Sequence, residues 1–185
     1  MQLEDEVEQA QSGTSSLFDN HKHHLVIYTN PSGALRATAT MILEGFCKGE
    51  KVLYVSSENS QEDLRTALAR KSLWPSRSLA EAVEVLRAED VYRENGVFEP
   101  ERVLGFWRKK LLEAKHQGFV GLRVFGEMSW ILGHPNDQKA LTAYEVSFGL
   151  STQDLSIFGA CMYNPTRLGY ELVRKVFAAH PVIHI

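Results

Sequence analysis

The sequence predicts an α/β fold in three layers, a mainly parallel sheet with helices on both faces. Three observations carry the expectation. Short apolar runs alternate along the chain with amphipathic stretches of about 10–15 residues, the rhythm of β-strand, crossover helix and parallel strand. The apolar runs have the composition of strands covered on both sides. Ser, Pro and Gly stand where helices should start and stop.

The elements follow in order. Residues 1–22 are polar, with Gly13-Thr14-Ser15-Ser16 and no sustained periodicity, and are expected to be a tail or linker ahead of a domain over 23–185. Residues 25–29 read as a strand and 34–48 as a helix. The run 51–56 reads as a buried strand, and 61–71 as a helix whose N-cap is Ser60. A short strand is expected at 83–86. Pro100 opens a helix over 101–117 that Gly118 stops. A strand over 119–125, a helix over 138–149, a strand over 155–162, a helix over 168–178 and a strand over 182–185 complete the pattern. No internal repeat or low-complexity tract interrupts it.

Composition narrows the function classes. A chain of 185 residues, 44% hydrophobic and 23% charged, suffices for one domain with a real core. Net charge is −3, and Glu4, Asp5, Glu6 and Glu8 crowd the start, so no clustered basic face marks a nucleic-acid binder. Apolar stretches fall short of the ~18 residues of a membrane span, and the acidic N-terminus is unlike a secretory signal. A cytoplasmic protein is expected, bound directly to neither nucleic acid nor membrane. Cys47 and Cys161 are too few for a disulfide framework and lack zinc-knuckle spacing. Reduced thiols are expected.

In open parallel sheets, ligands bind outside the carboxyl ends of the strands. That selects Tyr28-Thr29-Asn30, Ser56-Ser57-Glu58, Gly126-Glu127-Met128-Ser129-Trp130 and Cys161-Met162-Tyr163-Asn164 as tips sharing one crevice. The first tip, in "YTNPSGAL", stands where a phosphate loop would. Such a loop needs glycines whose amides turn inward, a lysine for the β and γ phosphates and a hydroxyl for magnesium. With Gly33 as the last glycine, Tyr28 replaces the first, Ala34 the lysine and Leu35 the hydroxyl. Pro31-Ser32-Gly33 still forms a turn before a helix N-terminus, leaving weak anion binding or a plain connection as the alternatives. Phosphoryl transfer is not expected.

The stretch "EGFCKGEKVLYVSSENSQEDL" resembles the region after the phosphate loop in the RecA and KaiC class of ATPases. The closer resemblance is to the MEDS family, the methanogen/methylotroph, DcmR-like sensory domain. It is carried by His24, "KGEKVLYV", "GFVGLRVFGEMSW", Tyr144-Glu145, "CMY" at 161–163 and His180-Pro181, and it runs from about residue 23 to 185. The resemblance implies a RecA-like fold that has lost its ATP site, and a sensory role towards hydrocarbon-derived small molecules. In an ATPase of that class a magnesium-holding aspartate would stand at Gly126-Glu127, and Glu58 would match the acid that activates water.

Candidate ligand-binding residues are therefore Tyr28, Asn30, Glu58, Glu127, Trp130, Cys161 and Tyr163. Each has a structural alternative. Glu127 either meets a ligand or accepts backbone amides; Trp130 and Tyr163 either wall a ligand site or fill the core. Cys161 is either a small buried hydrophobe or a reactive thiol. His24 and His180 stand at strand beginnings, where a structural hydrogen bond is favoured, and Tyr144, beside Glu145 on a helix, closes the crevice or packs inside. His21, His23 and His24 lack a convergent cysteine or carboxylate spacing, so neither metal nor other cofactor is expected. Two functions remain. One is a non-catalytic sensor that binds a small organic ligand or a partner at the strand tips, acting in trans on a signalling or transcription-regulatory protein or by homo-oligomerisation. The alternative is a divergent nucleotide-binding protein or hydrolase of the RecA/KaiC class.

Overall fold

The computed structural model of the chain describes residues 22–71 and 77–185. The expected tail, with His21, lies outside these residues apart from its last position. The chain runs through β1 (His23–Ile27), α1 (Pro31–Cys47), β2 (Glu50–Ser56), α2 (Gln61–Ala69), α3 (Arg77–Ala82) and β3 (Val83–Arg87). It continues through α4 (Ala88–Tyr92), α5 (Pro100–His116), β4 (Gly121–Glu127), α6 (Gln138–Thr152), β5 (Ile157–Tyr163), α7 (Pro165–Leu168), α8 (Tyr170–Phe177) and β6 (Val182–His184). Short 3-10 turns at Glu94–Gly96, Met128–Gly133 and Pro135–Asp137 join the rest.

The strands form one six-stranded sheet in the order β3-β2-β4-β5-β1-β6. Every pairing is parallel. The α/β class with helices on both faces is thus observed. Side chains alternate across the sheet with period two, and the strands divide their residues between two cores. Val26, Tyr54, Phe125 and Met162 face α1, α2 and α3. Leu25, Leu53, Val124 and Cys161 face α4, α5, α6, α7 and α8. Complete burial of a leucine such as Leu25 contributes about 1.5–3 kcal/mol relative to exposure, so both faces hold the sheet flat against its helices.

Local chemistry fixes the helix ends. Asn30 caps α1 by accepting from the Gly33 amide, with Pro31 in the first turn, and Ser60 forms a reciprocal capping box with Asp63 on α2. Some boundaries depart from expectation. β4 begins two residues late because Gly118, at φ 90°, turns the chain and the Phe119 amide returns to the Ala114 carbonyl at 3.0 Å. As a result Glu127 ends the strand instead of lying in the following loop. The single helix expected over 168–178 is two, α7 and α8, divided at Gly169 with φ 81°. Neither α3 nor α4 has a counterpart in the sequence reading.

Among the described residues, no helix is long and apolar enough to cross a membrane.

Candidate functional site

The carboxyl ends of β1, β2 and β4 do converge, and their polar groups are engaged with one another. Glu127 is fully buried. Its carboxylate accepts from the Ser57 amide at 2.6 Å, the Glu58 amide at 2.5 Å, the Asn59 amide at 3.2 Å and the Tyr54 hydroxyl at 2.6 Å. The Asn59 side-chain amide donates to it as well. Consecutive amides after β2 thus form a nest around one anion, and that anion belongs to the protein. Of the two roles open to Glu127, acceptance of backbone amides is what the geometry displays, and the amides come from the β2 tip, not from the turn after β4.

Beside it, Ser129 Oγ donates to Glu58 and lies 3.3 Å from the Tyr28 hydroxyl. Arg167 Nη1 sits 2.6 Å from Glu58 Oε1, while Glu58 Oε2 is buried with no hydrogen-bond partner. Burial, foremost, raises the Tyr28 pKa above that of an ordinary phenol. At the start of α1, Asn30 Oδ1 takes the Gly33 amide at 2.8 Å and the Ser32 hydroxyl at 2.8 Å. The Gly33 and Ala34 amides also approach the Asn30 carbonyl, and Pro31 has no amide to offer.

Trp130, Tyr144, Cys161 and Tyr163 do not join this crevice. Trp130 stacks on Tyr92 with centroids 5.1 Å apart, inside the core beneath α4 and α5. Tyr144 accepts a hydrogen bond from Trp107 Nε1 at 2.8 Å in the same core. Period-two alternation sends Cys161 and Tyr163 to that face of the sheet, away from Glu127. His24 goes to the opposite face, where its Nδ1 lies 2.9 Å from His184 Nε2 and its ring meets Phe158 edge-on.

Cys161 and Tyr163 meet a second buried carboxylate, Glu145 of α6, itself wholly inaccessible. Tyr163 donates to Glu145 Oε1 at 2.5 Å and Cys161 Sγ to Oε2 at 3.2 Å. His23 Nε2 lies 3.1 Å from Oε2 and 3.5 Å from the Cys161 sulfur. His180 Nε2 lies 3.4 Å from Oε2. One ligand atom from each of His23, Glu145, Cys161 and His180 falls within 4.8 Å of the others. Burial opposes ionisation of Glu145, yet hydrogen bonding and charge from His180 and His23 overcome it and hold the carboxyl well below the usual range. Burial pushes the Cys161 thiol well up, with the charge of Glu145 adding to it. Burial lowers the His23 pKa against the opposing pull of Glu145.

His23 also touches the surface side of this cluster. A cleft of about 500 Å³ lies between α6 and the turn after α8, bounded by Lys22, His23, Val146, Leu150, Gln153 and Pro181, with Gly149, Ala178 and Ala179 between them. Gly149 has no side chain, and a Cβ there would meet His23 Nδ1 at 3.2 Å.

In the sequence His23 groups only with its neighbours His21 and His24, and no motif singles out Arg167. A signal for the second site was present. Leu141, Tyr144, Glu145 and Phe148 lie at helical spacing on the buried stripe of α6, and a carboxylate within such a stripe requires buried partners. The strand alternation His23, Leu25, Ile27 and Cys161, Tyr163 marks the same face.

A family model described as MEDS: MEthanogen/methylotroph, DcmR Sensory domain matches residues 22–181. No curated protein matches the chain.

Proposed function

This chain belongs to the MEDS family of sensory domains, and on that premise we propose that it is a non-catalytic sensor that binds a small organic molecule in the cleft beside His23. Its signal passes to a signalling or transcription-regulatory protein. The observation that carries the reading is the cleft itself. At about 500 Å³ it has the size of a small-molecule site, and Val146, Leu150 and Pro181 give it apolar walls beside the polar side chains of Lys22 and Gln153. That lining suits a hydrocarbon-derived ligand with one polar end.

The strand tips support the reading by contrast. The groups that would hold a nucleotide are spent internally: Glu127 on amides and hydroxyl, Asn30 on the first turn of α1. Positions 34 and 35 carry Ala34 and Leu35, without the amine and hydroxyl of a working phosphate loop. We read the N-terminus of α1 as an abandoned phosphate loop of a RecA/KaiC relative, its anion replaced by the chain's own Asn30 oxygen.

A thermal-shift screen tests this, because a ligand that binds only the folded state raises the melting temperature. The panel comprises Mg-ATP, Mg-GTP and small halogenated, methylated and aromatic compounds. A rise with an organic compound, lost in Leu150→Trp, is the expected result; Leu150 is 66% exposed, so the substitution fills the cleft with little effect on the core. A rise with Mg-nucleotide alone would overturn the reading in favour of a nucleotide-binding protein. A rise with an organic compound that Leu150→Trp leaves untouched would return the site to the strand tips.

A further inference from the structure

The histidine rings around Glu145 have an assignable proton pattern. His23 Nδ1 lies 3.1 Å from the Ala179 carbonyl and His180 Nδ1 lies 2.8 Å from the Val176 carbonyl. A carbonyl only accepts, so each Nδ1 carries its proton, and in a neutral ring each Nε2 is left with a lone pair. In that neutral form both lone pairs face Glu145 Oε2, itself an acceptor; only a ring that takes up a second proton makes the hydrogen bond and supplies the charge that lower the Glu145 pKa. The Cys161 thiol is one donor between two acceptor atoms, Glu145 Oε2 at 3.2 Å and His23 Nε2 at 3.5 Å. His180 Nε2 is left buried with no hydrogen-bond partner, although the residue is 4% exposed and its side chain is aimed into the cluster. Orphaned buried groups of this kind call for a missing partner, and an ion is one of the few that accepts lone pairs from every side.

We propose that His23, Glu145, Cys161 and His180 form a closed four-coordinate site for a divalent transition-metal ion of the zinc class. The donor set is His, His, Cys and carboxylate. Metal bonds of about 2.0–2.3 Å at tetrahedral angles set neighbouring donors roughly 3.3–3.6 Å apart. Four of the six donor-pair separations are 3.1 Å from His23 Nε2 to Glu145 Oε2, 3.4 Å from His180 Nε2 to the same oxygen, and 3.2 and 3.5 Å from the Cys161 sulfur to Glu145 and to His23, with the remaining two, both to His180, within 4.8 Å. The outer contacts fit as well. Ligating histidines ordinarily donate their second ring N–H to a carbonyl or carboxylate, and both rings here do so to backbone. Tyr163 holds Oε1 of Glu145, leaving Oε2 to serve as a single-oxygen ligand. The two rings are neighbours, with centroids 3.9 Å apart.

Binding is balanced by one proton. The ion enters as M²⁺, the Cys161 S–H bond breaks, the sulfur–metal bond forms with the electron pair left on sulfur, and the proton is released to solvent. All four donors come from protein and all are buried, so the ion is a structural clasp joining β1, α6, β5 and the α8–β6 turn, without an open position for catalysis. This stands on the geometry of the cluster and does not depend on the organic-ligand reading.

The test begins with wild-type protein purified without chelators and analysed for metal by mass spectrometry, then stripped and titrated with Co²⁺. Expected are one equivalent of ion per chain, intense visible bands of tetrahedral cobalt, a near-ultraviolet thiolate-to-cobalt band, and a fall in melting temperature on chelation. Cys161→Ser should abolish the thiolate band, and Cys47→Ser, at the exposed cysteine, should keep it. Wild-type protein that neither carries metal nor takes up Co²⁺ overturns the proposal, even if every variant misfolds. So does a thiolate band that survives Cys161→Ser. Because these readings need no organic compound, a metal found with no response in the organic screen sinks only the sensor's cleft, and an organic response without metal sinks only this site.

Discussion

Among the described residues two glutamates, Glu127 and Glu145, lie fully buried, about as inaccessible as each other, on opposite faces of one sheet. Glu127 is ringed by donors whose protons are fixed: three backbone amides, a phenol and a carboxamide. Glu145 has only a thiol and a phenol as fixed donors, and two imidazoles whose Nε2 atoms face it complete its surroundings. Burial of a carboxylate therefore says nothing about its use; its neighbours do. An amide nest makes an anion part of the scaffold, because nothing else can satisfy so many N–H groups there. Lone pairs gathered around an acceptor make a place for something electron-poor.

Removing the first carboxylate should have the largest effect. Glu127→Ala orphans the amides of Ser57, Glu58 and Asn59 together with the Tyr54 hydroxyl, and at about 1–3 kcal/mol for each buried unsatisfied group the loss should reach at least about 3 kcal/mol. The urea midpoint measures it, and a loss below about 1 kcal/mol would mean the nest is not what holds the β2 tip. Next comes Gly159→Ala. A Cβ at that position runs into the Phe148 ring, which tilts against His23 at 4.9 Å. Overpacking of this sort costs about 1–3 kcal/mol, and it should also weaken Co²⁺ uptake by displacing His23; an unchanged cobalt titration would separate the cluster from its packing. The smallest effect distinguishes the two carboxylates most sharply. In chelated protein Glu145→Gln should alter stability by less than about 1 kcal/mol, since the new carboxamide offers N–H groups to the imidazole lone pairs and keeps an oxygen for Tyr163. In metal-loaded protein the same variant should lose its ion. If Glu145→Gln unfolds the chelated protein, the two environments are alike after all.

Much of this fold is legible in the sequence alone. The strand–helix rhythm gave the parallel sheet, and the Ser60 and Pro100 helix starts fell within a residue of where their chemistry places them. The short helices α3 and α4 were not legible: pieces of 6 and 5 residues carry too little periodicity to stand out. At the strand tips the reading located Glu58 and Glu127 but not their saturation, which depends on where β4 ends, a matter of two residues. The second cluster was hidden for a different reason. His23 and Cys161 are 138 residues apart, and they meet through strand order and register, with His23 opposite Gly159 and Leu25 opposite Cys161. Spacing rules see ligands that share a turn; they are blind to ligands that share a sheet face.

The position of β1 between β5 and β6 has a temporal side. Both hydrogen-bonding neighbours of the first strand are drawn from residues 157–163 and 182–184. At a synthesis rate of about 5–20 residues per second, Leu25-Val26-Ile27 leaves the ribosome and waits roughly seven to thirty seconds for its partners. An apolar strand with two open edges is, for that interval, a template for the same strand on a neighbouring nascent chain. Farther ahead in the sequence stand Glu4, Asp5, Glu6 and Glu8, charges of one sign that repel copies of themselves. Charge of one sign near a strand that cannot yet be paired disfavours such pairing.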